Sequence, residues 1–286
     1  RQMCIRDRFA ALCLSFLTAC DKEDLGGSNI HVPEFDYNAL SETDKYIYDH
    51  YTVPYNVEVV YRWNQGDVSS DDMRKNLVPP RESQVEPFLE MIEKVWMDTY
   101  TAEVGQQTLR SYIPKQLLLV GSASYNDDGS TTEGTAEGGR QIVLYSVNDF
   151  NFELEQIQSY AHVMHHEFAH ILHQNVEYDA EFEKITPSYS SSWMQMNDET
   201  ARSKGFITAY ASSSADEDFA EMVSIMLTNS PEDWDNMIEN AGNAAAVEAL
   251  RKKEAIVVAY MKNNWGVNMK DFQKEVVAAI EAAVRN

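Results

Sequence analysis

The chain has 286 residues, 44% of them hydrophobic and 24% charged, enough for one sizeable domain with a buried core. Its 46 acidic and 23 basic side chains leave a formal charge of −23. That argues against nucleic acid, whose binding rests on cationic phosphate contacts, and against anionic lipid held through protein charge. Acidity of this degree suits solubility in a crowded or salty exterior.

The N-terminus carries Arg1, Arg6 and Arg8 ahead of the apolar run FAALCLSFLTA at residues 9–19. The run is too short to span a bilayer, and a basic start before a short apolar core reads as a secretory leader; a buried first helix is the plain alternative. Leu17-Thr18-Ala19-Cys20 resembles the lipobox of bacterial lipoproteins. That resemblance implies a leader over 1–20, lipid on Cys20, and membrane attachment through that lipid alone. Asp21-Lys22-Glu23-Asp24 is similar to the acidic tetrad that directs some lipoproteins to the cell surface. Cys4 and Cys13 fall inside the leader, so residues 21–286 contain no cysteine for a disulfide. Residues 21–38, polar and with Gly26-Gly27, read as a tether to a domain over 39–286.

In chain order, residues 41–51 predict a helix capped by Ser41, and the β-branched and aromatic stretch 56–63 predicts a strand. Residues 66–81 read as loop, and 85–104 as a long helix with Phe88, Met91, Ile92, Val95 and Trp96 at helical spacing. Strands are expected at 116–122 and 140–147, joined by the glycine-rich YNDDGSTTEGTAEGG as a long hairpin loop. Asn126, Asp128 and Gly129 fall at calcium-loop offsets, but Ser124 and Thr135 stand where its first and last carboxylates belong. Helices follow at 153–174, 216–228, 232–241, 244–264 and 268–284. The fold class this predicts is α+β, mainly helical, with a small antiparallel or mixed sheet.

Five of the seven histidines lie between positions 162 and 173, in AHVMHHEFAHILHQN. His166-Glu167-Phe168-Ala169-His170 is an H-E-x-x-H. Residues four apart share a helix face with Cβ atoms ~6 Å apart, which lets two imidazoles converge on one metal. Glu167 stands beside them as a general base for a metal-activated water. Leu154, Ile157, Ala161, Met164, Phe168 and Ile171 form the expected core stripe, with His162, His166, His170 and His173 opposite. His173 lies ~10.5 Å along the axis from His166, too far for the same ion, so packing or hydrogen bonding is expected of His162, His165 and His173.

A catalytic zinc takes a third protein ligand and keeps a position open. The segment Asp216-Glu217-Asp218-Phe219-Ala220-Glu221 puts Glu217 and Glu221 on one helix face, with Phe219, Met222, Val223 and Met226 on the other. Glu217 is the expected ligand and Glu221 a second acceptor steering a histidine ring, with the reverse assignment open. Tyr210, seven residues before Glu217, is a candidate donor to an oxyanion, or a packed loop tyrosine.

HEFAHILHQ followed by GFITAYASSSADEDFAEM resembles the zinc metallohydrolase lipoproteins associated with substrate import, a zinc-binding metallopeptidase family. The spacing from Tyr210 to Glu217 and Glu221 is similar to the lethal-factor type of gluzincin. The resemblance spans about 60 residues, and it implies a zincin-like fold with zinc on His166, His170 and Glu217, Glu167 as base and Tyr210 near the oxyanion. It also implies a surface-anchored endopeptidase at a bacterial outer membrane, acting on a peptide or protein beside an outer-membrane importer. The alternative is a non-catalytic binding lipoprotein that uses its aromatic side chains and serves that importer.

Overall fold

The computed structural model describes residues 35–64, 66, 75–126, 131–132, 134–137 and 140–285. The expected leader, the lipid-bearing Cys20, residues 21–34 of the tether, and the Asp128 and Gly129 of the calcium-like loop lie outside these. Residues 40–286 form one compact unit.

Helix α1 (Glu42–Ile47) begins at Ser41, whose side chain accepts from the Asp44 amide, and continues through the wider turn Tyr48–Thr52 into Val53–Tyr55. Strand β1 (Glu58–Val60) follows. Helix α2 (Glu82–Ile92) passes through a second wide turn, Glu93–Met97, into α3 (Asp98–Val104). Pro87 stands at the sixth position of α2, inside the helix. Helix α4 (Gln106–Tyr112) was not legible in the sequence pattern.

Strands β2 (Gln116–Leu119), β5 (Gly134–Glu137) and β6 (Gln141–Leu144) join β1 in a mixed sheet of order β1-β2-β6-β5. Between β2 and β5 lies a small hairpin of β3 (Ser124–Tyr125) and β4 (Thr131–Thr132). The two expected strands are neighbours, yet they pair in parallel, with Gln116 opposite Gln141 and Leu119 opposite Leu144. The connector is therefore a crossover, not a hairpin loop, and its last part returns as β5 antiparallel to β6. The cause is visible in the burial. Leu117 and Leu119 enter the main core, while Leu118 and Val120 enter a second cluster with Val143 and Tyr145 on the other face. A strand apolar on both faces belongs in a sheet interior.

Helix α5 (Leu154–Asn175) carries the histidines and packs against α2, the edge strand β5, and α8 (Ala215–Thr228). Short helices α6 (Glu181–Ile185) and α7 (Asp198–Arg202) lie between α5 and α8. Helices α9 (Pro231–Glu239), α10 (Ala244–Tyr260) and α11 (Met269–Ala283) complete the helical layer. Ile157, Ala161, Met164, Phe168 and Ile171 of α5 are buried as expected; Leu154, on the first turn, is instead 49% exposed. The fold is thus α+β, mainly helical, with a small mixed sheet beside the histidine helix. No helix among the described residues is long and apolar enough to cross a membrane.

Candidate metal centre

Helix α8 starts at Ser214, whose hydroxyl accepts from the Glu217 amide, and its first turn holds Asp216, Glu217 and Asp218. Carboxylates there complement the unpaired amides of a helix start. Phe219, Met222, Val223 and Met226 bury the opposite side, which turns Glu217 and Glu221 toward α5. The contacts pair His170 with Glu217 and His162 with Glu221, so the two helices run antiparallel.

At their crossing, His166 Nε2 lies 3.1 Å from His170 Nε2 and 3.0 Å from Glu217 Oε2; His170 Nε2 lies 3.1 Å from the same oxygen. Two imidazole lone pairs and a carboxylate repel unless a proton or a cation sits among them. Tetrahedral zinc with bonds of 2.0–2.1 Å spaces its ligands by about 3.3 Å, so this donor set fits zinc with little movement.

The other face of His166 meets Glu221. Glu221 Oε1 lies 2.8 Å from His166 Nδ1, close in distance but not aligned as a straight hydrogen bond, and 2.8 Å from His162 Nε2. Thr208 Oγ1 donates to Glu221 Oε2 at 2.6 Å. His162, His166 and Glu221 could also gather an ion. However, both Glu221 oxygens already have protein partners and the carboxylate is only 2% exposed, so this group is better read as support for His166. His170 finds its own support: its Nδ1 lies 2.9 Å from His173 Nε2. His165 takes no part, being buried against Val95 O at 3.3 Å, with its pKa pushed down to about 3 by burial.

The electrostatics follow these contacts. Burial works to lower the His166 pKa, but Glu217 and Glu221 outweigh it and lift the metal-free imidazole to about 10. Burial likewise works to raise both carboxylates, yet the histidines hold Glu217 and Glu221 well below the usual range. Among the described residues Glu167 has no such close partner. Burial raises its pKa, against the opposing pull of His166 and His170.

These residues open on a cleft of about 910 Å³. One wall is Thr132, Gly134 and Thr135; the other is Trp193 and Tyr210, with Glu167 at the base. Tyr210 packs edge-on against Trp193 with ring centres 4.9 Å apart, and its ring lies 5.8 Å from that of His166. The wall beside α5 is β5, the edge of the sheet, and not the 140–147 strand, which β2 and β5 flank on both sides. At Gly134 a Cβ would stand 2.4 Å from Val163 Cγ1, so the missing side chain lets β5 lie close against the histidine helix.

The residues expected at the metal centre therefore converge: His166, His170 and Glu217 on one point, Glu221 behind, Glu167 and Tyr210 in the cleft. Sequence reasoning overlooked Thr208, which no pattern marks; the hydrogen bonding expected of His173 is present, and its partner, not named in advance, is His170 at i−3.

Residues 37–270 match the family described as "Putative zinc-binding metallo-peptidase". The crystal structure of a "putative zinc-binding metallo-peptidase" from Bacteroides caccae is 32% identical, covers 84% of this chain and 92% of its own, and superimposes with a TM-score of 0.73. No curated protein matches. With most of its length matched and a histidine–glutamate donor set suited to zinc, the chain belongs to this zinc-binding metallopeptidase family.

Proposed function

We propose that the chain is a zinc-dependent endopeptidase of the gluzincin type, with His166, His170 and Glu217 as ligands and Glu167 as general base. The observation that carries this is the convergence of those three donor atoms within 3.1 Å of one another at the floor of an open cleft. Zinc, when bound, acidifies a water and polarises a carbonyl oxygen. Glu167 accepts a proton from the attacking water as its oxygen adds to the scissile carbonyl carbon, and passes that proton to the amine as the C–N bond breaks. The raised pKa of Glu167 suits it to hold the proton between those steps. Tyr210 donates a hydrogen bond from its hydroxyl to the oxygen that gains charge. β5, the edge strand among the described residues, aligns an extended peptide by backbone pairing.

The lipobox-like sequence supports attachment through lipid on Cys20, the tetrad Asp21–Asp24 supports a surface-facing position at the bacterial outer membrane, and the family resemblance supports a place beside an importer. Metal analysis and peptide-library cleavage by residues 39–286, chelated and then zinc-restored, test the enzymatic reading. One zinc per chain with zinc-dependent cleavage is expected. No zinc, or zinc without cleavage of any peptide, would favour the non-catalytic binding lipoprotein.

A further inference from the structure

Lys253 of α10 is fully buried, although nothing in the zinc chemistry calls for a lysine there. Its ammonium donates to Gly205 O at 2.7 Å and to Asp218 Oδ2 at 2.5 Å, and lies 4.4 Å from the ring centre of Phe206. Asp218 is also fully buried, is the residue after Glu217, and accepts on the same oxygen from Tyr189 at 3.0 Å. Burying two charges is costly unless they meet with good geometry, and replacing such a pair by apolar groups is often neutral or stabilising. Such a pair is therefore weak evidence for stability, and fixing one arrangement is the best-attested use of buried pairs.

What it fixes is the start of the segment that carries Thr208 and Tyr210. Gly205 has φ +87, and a Cβ there would meet Thr186 Cγ2 at 2.8 Å and Ala249 Cβ at 2.9 Å, so the chain is seated hard against α10 at this point. Three residues on, Thr208 donates to Glu221 and accepts from the Ala211 amide. Ala209 N donates to Asp198 at 2.7 Å. Tyr210 then emerges over the site, its hydroxyl interacting with Glu217. We infer that Lys253 is a positioning residue: it latches the 205–213 segment to the turn of α8 that bears Glu217, and so sets the reach of Tyr210 and Thr208 over the metal centre.

This inference rests on the proposed role of Tyr210, and its test separates the two. The paired variant Lys253→Met with Asp218→Asn removes both buried charges together and strands neither. Crossed with Tyr210→Phe, it makes a double-mutant cycle. A latch predicts a folded protein with one zinc at wild-type affinity, kcat reduced by about tenfold to a hundredfold with KM little changed, and no further loss on adding Tyr210→Phe. A crystal structure of the paired variant is expected to show the Tyr210 hydroxyl displaced from Glu217, a readout independent of cleavage. Wild-type kcat in the folded paired variant, an undiminished Tyr210→Phe effect in that background, or an unmoved 205–213 segment overturns the inference. Should the wild-type protein cleave nothing, the enzymatic reading falls and the crystal structure still decides the latch. Should the paired variant not fold, Lys253→Arg, whose planar head cannot occupy the ammonium's position, carries the same cycle and the same criteria.

Discussion

Glu221 Oε1 approaches Nδ1 of His166 to 2.8 Å, while Glu217 Oε2 lies 3.0 Å from Nε2 of the same ring. One imidazole is thus held between two carboxylates that sit one turn apart on α8, and the two have different tasks. Glu217 shares its oxygen with the Nε2 atoms of His166 and His170; Glu221 reaches only the far side of His166, and its other partners are His162 and Thr208. Glu221→Ala should therefore lower zinc affinity by ~10–100-fold, the usual effect of removing a partner behind a ligand. Glu217→Ala should cost far more, because it removes a ligand outright. Competition against a calibrated chelator measures both, and equal losses would mean that the assignment between the two glutamates is wrong.

The same sandwich sets a pH dependence. In the metal-free protein the His166 pKa stands at about 10, above its ordinary value of 6.5, in spite of burial. A folded-state pKa raised in this way adds stability that is complete below the unfolded value and fades as pH climbs through about 10. Melting of the metal-free protein from about pH 6 to about pH 10 should show that decline, and His166→Gln should remove most of it. Zinc must expel the same proton. Binding at neutral pH should thus release one proton more than the ligands of an unperturbed site would, and affinity should rise with pH. Calorimetry in buffers of different ionisation enthalpy counts that proton.

The pairing of His170 with His173 at 2.9 Å leads to a separate expectation. For His170 to bind a metal through Nε2, its Nδ1 must carry the proton, which His173 Nε2 accepts as a neutral ring. Burial lowers the His173 pKa and favours that neutral form. His173→Ala should weaken zinc binding by about tenfold or more, and His173→Gln, whose side-chain oxygen can accept the same proton, should restore much of it. An alanine variant with unchanged zinc affinity would reduce His173 to packing against Tyr178 and Phe219.

The halves of this site differ in how far the sequence discloses them. His166, Glu167 and His170 are legible because a helix fixes the relation between positions four apart, and Glu217 and Glu221 obey the same rule on a second helix. At the site the two helices meet through the imidazoles of one and the carboxylates of the other, while their apolar stripes bury on the sides away from it. Thr208, Asp218 and Lys253 are different. Their roles come from contacts across 13, 35 and 48 residues, between a loop, a helix start and a distant helix, and no local period encodes them. The sheet was misread for a related reason. Strand composition marks 116–122 and 140–147 as strands, but parallel pairing is a property of the route between them. The glycine-rich connector reads equally as a hairpin loop or as a crossover that hides a short strand. The unbroken apolar run Leu117-Leu118-Leu119-Val120 was the available clue, since a strand buried on both faces reads this way.

That hidden strand gives the last prediction. Gly134 opens β5 where the strand runs against Val163 of the histidine helix, and a Cβ there would collide at 2.4 Å. Gly134→Ala must push β5 outward or turn Val163 aside, while the donor atoms on the other side of α5 keep their partners on α8. If an extended peptide pairs with the edge of β5, moving that edge weakens its alignment over Glu167 without touching the metal. The variant should bind zinc as the wild type does and show KM for a peptide substrate raised by about tenfold, with a smaller effect on kcat. Pairing Gly134→Ala with Val163→Ala, which clears the space, should return KM toward its original value. Unchanged KM in the single variant would remove β5 from substrate binding and leave the Trp193 and Tyr210 wall as the only side of the cleft that orients the chain.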